Sequence, residues 1–177
     1  MNSCDPPQVP LVSYDDALRS LLNKVSATEM VENKPLLEAL SRILAQSIQS
    51  SINVPPADNS AMDGYAINTA DIATAGTTKL RVSQRIAAGD TGQTLKPGTT
   101  ARIFTGAPIP PGANAVIMQE QVEAIADTIE FEVRPSEQQN IRPAGNDIKI
   151  DDKILDQGCL LRPQALGLAA SIGLQSL

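Results

Sequence analysis

Residues 58–66 read DNSAMDGYA and place Asp58, Asn59, Ser60 and Asp63 within six positions. Two carboxylates, an amide and a hydroxyl form a hard-donor set that can hold a hydrated divalent cation or orient a phosphate-bearing ligand. The plain structural alternative is a turn. Asp63-Gly64 is a tight-turn signal, since Gly tolerates positive φ, and the turn would open a strand at YAIN. A second stretch, RIFTGAPIPPGANAV (102–116), runs a strand into Thr105-Gly106 and then a proline-rich turn. Backbone N–H groups beside Gly106, with the Thr105 hydroxyl, could face an anion; the alternative is a proline-stiffened hairpin connection. It is not a P-loop, because the Gly-Lys-Ser/Thr ending is missing. In the third, NIRPAGNDI (140–148), Arg142 and Asp147 flank a Pro-Ala-Gly turn. Arg142 could fork onto a phosphate or carboxylate, or close a local salt bridge.

Composition limits what these groups can do. Histidine is absent from the 177 residues. Ser-His-Asp and Cys-His catalysis within this chain is therefore excluded, as are HExxH and Cys/His zinc sites. Chemistry is left to carboxylates, hydroxyls, Lys, Arg and backbone, a toolkit for a hard cation such as magnesium or for an oxyanion. Fourteen basic and twenty acidic residues give a net charge of -6. That balance argues against nucleic acid or an anionic membrane as the main partner. No apolar run has the length of a membrane span, and the first residues lack the pattern of a signal peptide. Cys4 and Cys159 have no CxxC partner and read as free thiols. The cytoplasm is the expected compartment.

The elements that must position the three stretches change character along the chain. Residues 13–25 predict a helix with Ala17, Leu18, Leu21, Leu22 and Val25 on one face, capped by Ser13 with Asp16 three residues on. Residues 35–48 predict a second helix, begun by Pro35, with Leu36, Leu37, Leu40, Ile43, Leu44 and Ile48 as its stripe. Both stripes are expected to pack in a core. From Ile52 to about Ile141 the pattern becomes short strands broken by Gly and Pro: 79–86, 100–104, 114–122 and 128–133. Residues 162–174 return to a helix that starts at Pro163 and is capped by Gly173. With aromatics at 2% of the chain, the core is expected to be Leu, Ile, Val and Ala. The fold class read from this order is α+β, mostly β: a segmented helical and β domain (1–52 plus 142–177) with a small barrel-like β domain (53–141) inserted. The chain stops directly after a helix cap, which reads as a domain boundary within a longer protein.

In this order and spacing, DNSAMDGYA, TGAPIPPGANAVIMQE and NIRPAGNDI resemble the molybdopterin molybdotransferase family, the MoeA and gephyrin E-domain type. The resemblance covers essentially the whole chain. Asn146 stands where the family more often has Glu, and Ala57 where a bulkier residue is common. The resemblance implies insertion of molybdate into adenylylated molybdopterin with release of AMP, assisted by Mg2+. It implies a homodimer whose cleft lies between a third, α/β domain of one subunit and the inserted β domain of the other. It also brings in the molybdopterin adenylyltransferase as a candidate partner. Carried over by motif, Asp63, Thr105 and Asp147 match positions tied to activity, with Asp63 on the cation or molybdate side. Asn59, Ser60, Gly106 and Arg142 are candidates for substrate contacts. The GGxS loop and PGNP turn that mark the third domain are missing from this chain. The expected reading is therefore an N-terminal two-domain portion that is inactive alone. A non-catalytic assembly or scaffolding module of the same fold is the alternative.

Overall fold

In the computed structural model, residues 11–26 and 28–177 are described. They fall into two units, one up to Lys34 and one of Pro35–Leu177. In the first, α1 covers Tyr14–Leu22. Ser13 caps it as expected: its hydroxyl oxygen accepts from the Asp16 N–H at 3.1 Å and its O–H donates to the Asp16 carboxylate at 2.7 Å. The expected core packing is not seen. No residue of α1 is buried, and Leu18, Leu21, Leu22 and Val25 are exposed.

In the second unit the expected helix over 35–48 is corrected. Only Leu36–Ala39 forms a short 3-10 turn; Leu40 is extended and Ser41 has φ 65°. The leucine spacing is helical, yet the backbone is claimed by a distant segment. Ser41 N–H donates to Leu161 O, Leu161 N–H to Arg42 O, and Leu44 N–H to Cys159 O, at 2.8 to 2.9 Å. A short helix gains little from propensity alone, so tertiary pairing prevails. Strand β1 (Ile48–Gln49) then pairs antiparallel with β10 (Lys153–Leu155). Helix α2 (Pro163–Ser171) starts at Pro163 as read, and Gly173 follows with φ 85°. Ala39, Leu44, Leu161 and Leu166 form a core here from chain on both sides of the β region.

The β region is built on a curled six-stranded sheet in the order β6-β3-β5-β4-β8-β7. Its strands are β3 (Gly64–Ile67), β4 (Thr78–Ile86), β5 (Thr99–Ile103), β6 (Ala115–Met118), β7 (Glu123–Ile125) and β8 (Thr128–Phe131). Neighbours are antiparallel except β4 and β5, which run parallel. Both faces are covered. Tyr65, Ile67, Leu80, Ile117, Ile129 and Phe131 pack on one; Ala66, Ile86, Ala101, Ile103 and Val116 pack on the other with Leu95 and Ala107. Each fully buried isoleucine contributes about 1.5–3 kcal/mol of hydrophobic stabilisation. Aliphatic residues dominate as expected, but Tyr65 and Phe131 also enter the core. TIEFEV alternates as read: Ile129 and Phe131 point inward, and Glu130 pairs with Lys79 at 2.7 Å. The strand expected over 114–122 ends at Met118 and gives way to a 3-10 turn, Gln119–Gln121. Two short strands, β2 (Asn59–Ser60) and β9 (Ile141–Arg142), pair with each other outside the main sheet.

Candidate functional site

The three polar stretches converge. Asn59 and Ser60 of β2 pair with Arg142 and Ile141 of β9. On the other side, Ser60 N–H donates to Ala107 O at 2.9 Å and Gly106 N–H to Ser60 O at 2.8 Å. Ile109 N–H reaches Asp58 O at 3.0 Å, and Ala61 N–H reaches Asn140 O at 2.9 Å. Backbone bonds therefore stitch the loops at 57–64, 104–109 and 140–148 together, and the side chains they carry are held without having to fix the loops themselves.

Asp63 sits just before β3. Its Oδ1 accepts from the Thr105 N–H at 2.8 Å and from the Thr105 hydroxyl at 3.0 Å. Oδ2 receives no hydrogen bond from the described residues. The Thr105 backbone bond, then its hydroxyl bond, hold the carboxyl below its usual range against an opposing effect of burial, with the nearby Arg102 charge a lesser contribution. Asp63 is therefore an ionised oxygen donor with one oxygen fixed and one free.

The Asp63-Gly64 step predicts a turn glycine. The structure gives a different reason for it. Gly64 lies in β3, opposite Ile103 and Met118, and has no positive φ. A Cβ placed there would lie 1.9 Å from the Ile117 carbonyl oxygen. The requirement is close strand approach.

Asp147 forms an ion pair with Arg142, and its Oδ1 accepts from the Asn146 amide at 3.0 Å. The Arg142 bond, then the Asn146 bond, lower its pKa. Asp58 Oδ1 accepts from the Ala144 N–H at 2.8 Å and so ties the first loop to the third. The fork that Arg142 could extend to a ligand is thus engaged with a carboxylate of its own loop.

The remaining candidates differ in what they have free. Ser60 is buried; its hydroxyl donates to Met62 O at 2.6 Å and accepts from Met62 N–H at 3.3 Å, which shapes the turn carrying Asp63. Gly106 has φ 80°, and the N–H groups of Thr105, Gly106 and Ala107 all have partners inside the protein. Those N–H groups do not form an open anion nest as arranged. The Asn59 amide makes no hydrogen bond among the described residues.

Sequence reasoning missed Arg102. Its guanidinium donates to Gly64 O at 2.8 Å, to Ile103 O at 3.0 Å and to the Gln119 side chain. It lies over the Tyr65 ring at 5.2 Å and the Phe104 ring at 4.5 Å. The register that brings Arg102 opposite Tyr65 belongs to the sheet and has no local sequence signal.

Among the described residues, no group of three or more His, Cys, Asp and Glu could hold a metal. Asp63 Oδ2 offers a hard oxygen that no described residue occupies, and Asp58 Oδ2 and Asn59 Oδ1 are also without a hydrogen bond among the described residues. Mg2+ commonly keeps several waters and takes only one or two carboxylates, so the donor is right in kind for that cation.

A segmented α+β module with polar residues on loops stitched beside a half-barrel sheet defines the class. Its family follows from comparison. The family model for the MoeA N-terminal region (domain I and II) matches residues 12–173, and the chain belongs to that family. It is 44% identical over 166 residues to the molybdopterin molybdenumtransferase of Haemophilus influenzae, covering 93% of this chain and 41% of that protein. With the molybdopterin molybdenumtransferase of Synechococcus elongatus it shares 34% over 173 residues, 94% of this chain and 43% of that one. Among solved structures, the molybdopterin biosynthesis moeA protein from Pyrococcus horikoshii OT3 superposes with a TM-score of 0.88 at 36% identity, covering 95% of this chain and 45% of that one. The chain thus spans about two fifths of the length of these relatives and corresponds to their N-terminal portion.

Proposed function

We propose that this chain is the N-terminal portion of a molybdopterin molybdotransferase, which inserts molybdate into adenylylated molybdopterin and releases AMP. The observation that carries the reading is the backbone stitching of three distant loops, with Thr105 fixing one Asp63 carboxylate oxygen and leaving the other free. In this reading Oδ2 of Asp63 is this chain's ligand for Mg2+, which, when bound, neutralises charge on the reacting oxyanions. Thr105 orients Asp63 and presents its remaining lone pairs to substrate. Asp147 with Arg142 holds the third loop in place, Asn59 offers its amide to substrate, and Ser60 and Gly106 shape the loops beneath.

The domain assignment belongs to the same proposal: 1–52 plus 142–177 as the segmented domain, and 53–141 as the inserted β domain. A homodimer would let the inserted domain of one subunit face the remaining domains of the other, and the molybdopterin adenylyltransferase would be the neighbour that supplies substrate. No helix among the described residues is long and apolar enough to cross a membrane, and the cytoplasm is the proposed compartment.

The test places Asp63→Ala and Thr105→Ala separately in the full-length protein and measures molybdenum insertion. Turnover should fall at least about a hundredfold for Asp63→Ala, the usual scale for loss of a group acting directly on reacting charge. Near-normal turnover would remove the assigned role. Sedimentation of this chain at tens of micromolar checks the dimer; a monomer counts against dimerisation through these two domains.

A further inference from the structure

The parallel pairing of β4 and β5 contains an irregularity. Arg81 and Val82 pair with Thr99 and Thr100, and pairing resumes with Gln84 opposite Ala101. Ser83 is the extra residue, and its hydroxyl donates to Thr100 O at 3.1 Å. Bulges are rare in parallel pairs, concentrate beside active sites and re-aim the side chains that follow. Here the bulge turns Gln84 toward the opposite face, where its amide exchanges two bonds with the Gln93 backbone at 2.7 and 2.8 Å. It brings Arg85 into register with Arg102, on the same face of the sheet.

Two cations directly opposite one another in a sheet repel. Phe104, half-buried and two residues beyond Arg102, receives both: the Arg85 guanidinium carbon lies 4.4 Å from its ring centroid and that of Arg102 lies 4.5 Å away. One arginine would satisfy the ring. The second adds charge: among the described residues neither arginine forms an ion pair, and the carboxylate that feels Arg102 is Asp63, beyond ion-pair distance. Arg102 commits part of its fork to Gly64 O, Ile103 O and Gln119, whereas the exposed Arg85 donates no hydrogen bond to the described residues. The pair is attached to the site by covalent continuity: Phe104 precedes Thr105, which bonds Asp63.

We propose that Arg85 and Arg102, spaced by Phe104, form a subsite for a tetrahedral oxyanion, with Arg85 as the arm that closes on it. Guanidinium forks match such oxygens, and the fixed Phe104 ring limits the rotamer freedom that Arg85 would lose on binding. The proposal rests on the reading that the Asp63 loops line a molybdotransferase cleft. It adds a residue assignment that the three motifs do not contain. The oxyanion is either molybdate itself or the phosphoryl group of a phosphate ester.

The test uses the 15N-labelled chain and follows the arginine Nε–H resonances on titration with sodium molybdate, sodium phosphate or AMP, with sodium chloride at matched ionic strength as reference. Saturating shifts of Arg85 and Arg102 that chloride does not reproduce are expected. Saturation by molybdate alone identifies the inorganic oxyanion as occupant. Tighter saturation by phosphate or AMP identifies the phosphoryl end of the organic substrate. Arg85→Gln should weaken the response at Arg102 about two- to fivefold, the range of an exposed charge pair, with Arg85→Lys in between and thermal stability unchanged. Non-saturating shifts, or an Arg102 response that Arg85→Gln leaves intact, would overturn the proposal. Asp63→Asn separates the two readings. It removes the proposed Mg2+ ligand and should leave the arginine response standing; loss of that response would show that the anion binds through Asp63 and overturn the arginine subsite.

Discussion

Replacing Gly64 with alanine puts a methyl group where the backbone of β6 already runs. The added Cβ would lie 1.9 Å from the Ile117 carbonyl oxygen, 2.9 Å from its carbon and 3.2 Å from Met118 Cα. All three atoms are backbone, so no rotamer change relieves the contact. An ordinary carbon–oxygen contact needs more than about 3 Å, so the strands must separate by roughly 1 Å or the ladder between β3 and β6 must break locally. Overpacking against side chains costs about 1–3 kcal/mol, and a clash against a hydrogen-bonded backbone belongs at or above the top of that range. We expect a loss of about 3 kcal/mol. For a chain of 177 residues, that is a fall in Tm of roughly 6–12 °C. The same shift would move the Gly64 carbonyl away from Arg102 and loosen Asp63 one residue earlier. Far-UV circular dichroism in urea and on heating measures the loss. A decrease below about 0.5 kcal/mol, the range of a neutral surface change, would refute close approach as the reason for this glycine.

Gly167 is the opposite case. It lies inside α2, and an added Cβ would meet nothing within 4 Å, so Gly167→Ala should raise stability by about 0.5–1 kcal/mol in the same melts. Thr105→Val removes one of the two bonds that lower the Asp63 pKa and keeps the backbone one, so the Asp63 carboxyl should titrate at higher pH when followed by carboxyl-carbon NMR. Because folding depresses this pKa, the associated stability is present above the unfolded value and is lost as pH falls through the folded one; the variant should lose it at a higher pH. Arg142→Ala should likewise raise the Asp147 pKa, and an unchanged titration would remove the ion pair as its cause.

Much of the fold was legible where a local signal agreed with the tertiary structure. Ser13 with Asp16, Pro163 with Gly173, and the alternation of TIEFEV all specify elements whose ends and faces are set within a few residues. The helix expected over 35–48 failed because its leucine period is a property of side chains, whereas its backbone partners lie more than a hundred residues away at Cys159 and Leu161. The β7–β8 hairpin turns through Ala126-Asp127, with Ala126 at φ 53°, where no Asn-Gly or Asp-Gly pair announces a turn. At the site, Asp63 and Thr105 were named from motifs and meet in space. Arg85 and Arg102 were invisible because their juxtaposition depends on a one-residue bulge, and such a slip leaves no mark in composition or periodicity.

The pattern of hydrogen-bonding groups around these loops bears on what the site could hold. Among the described residues no buried side-chain polar atom lacks a partner. The Thr105, Gly106 and Ala107 N–H groups, the Ser60 hydroxyl, and Arg142 with Asp147 are all satisfied locally. Left open among the described residues are Asp63 Oδ2, Asp58 Oδ2, the Asn59 amide and the Arg85 fork: two carboxylate oxygens, one neutral polar group and one cation. A surface evolved only to hold its own loops could have closed these as it closed the others. An open carboxylate oxygen and an open guanidinium, joined through Phe104-Thr105, are complementary to a ligand with both signs, a hard cation bound to an oxyanion. Neither group alone would hold such a ligand tightly in water, because an exposed ion pair contributes only about 0–1 kcal/mol. Tight binding therefore requires another surface to cover the pair and exclude water, which follows naturally if this chain supplies one wall of the cleft.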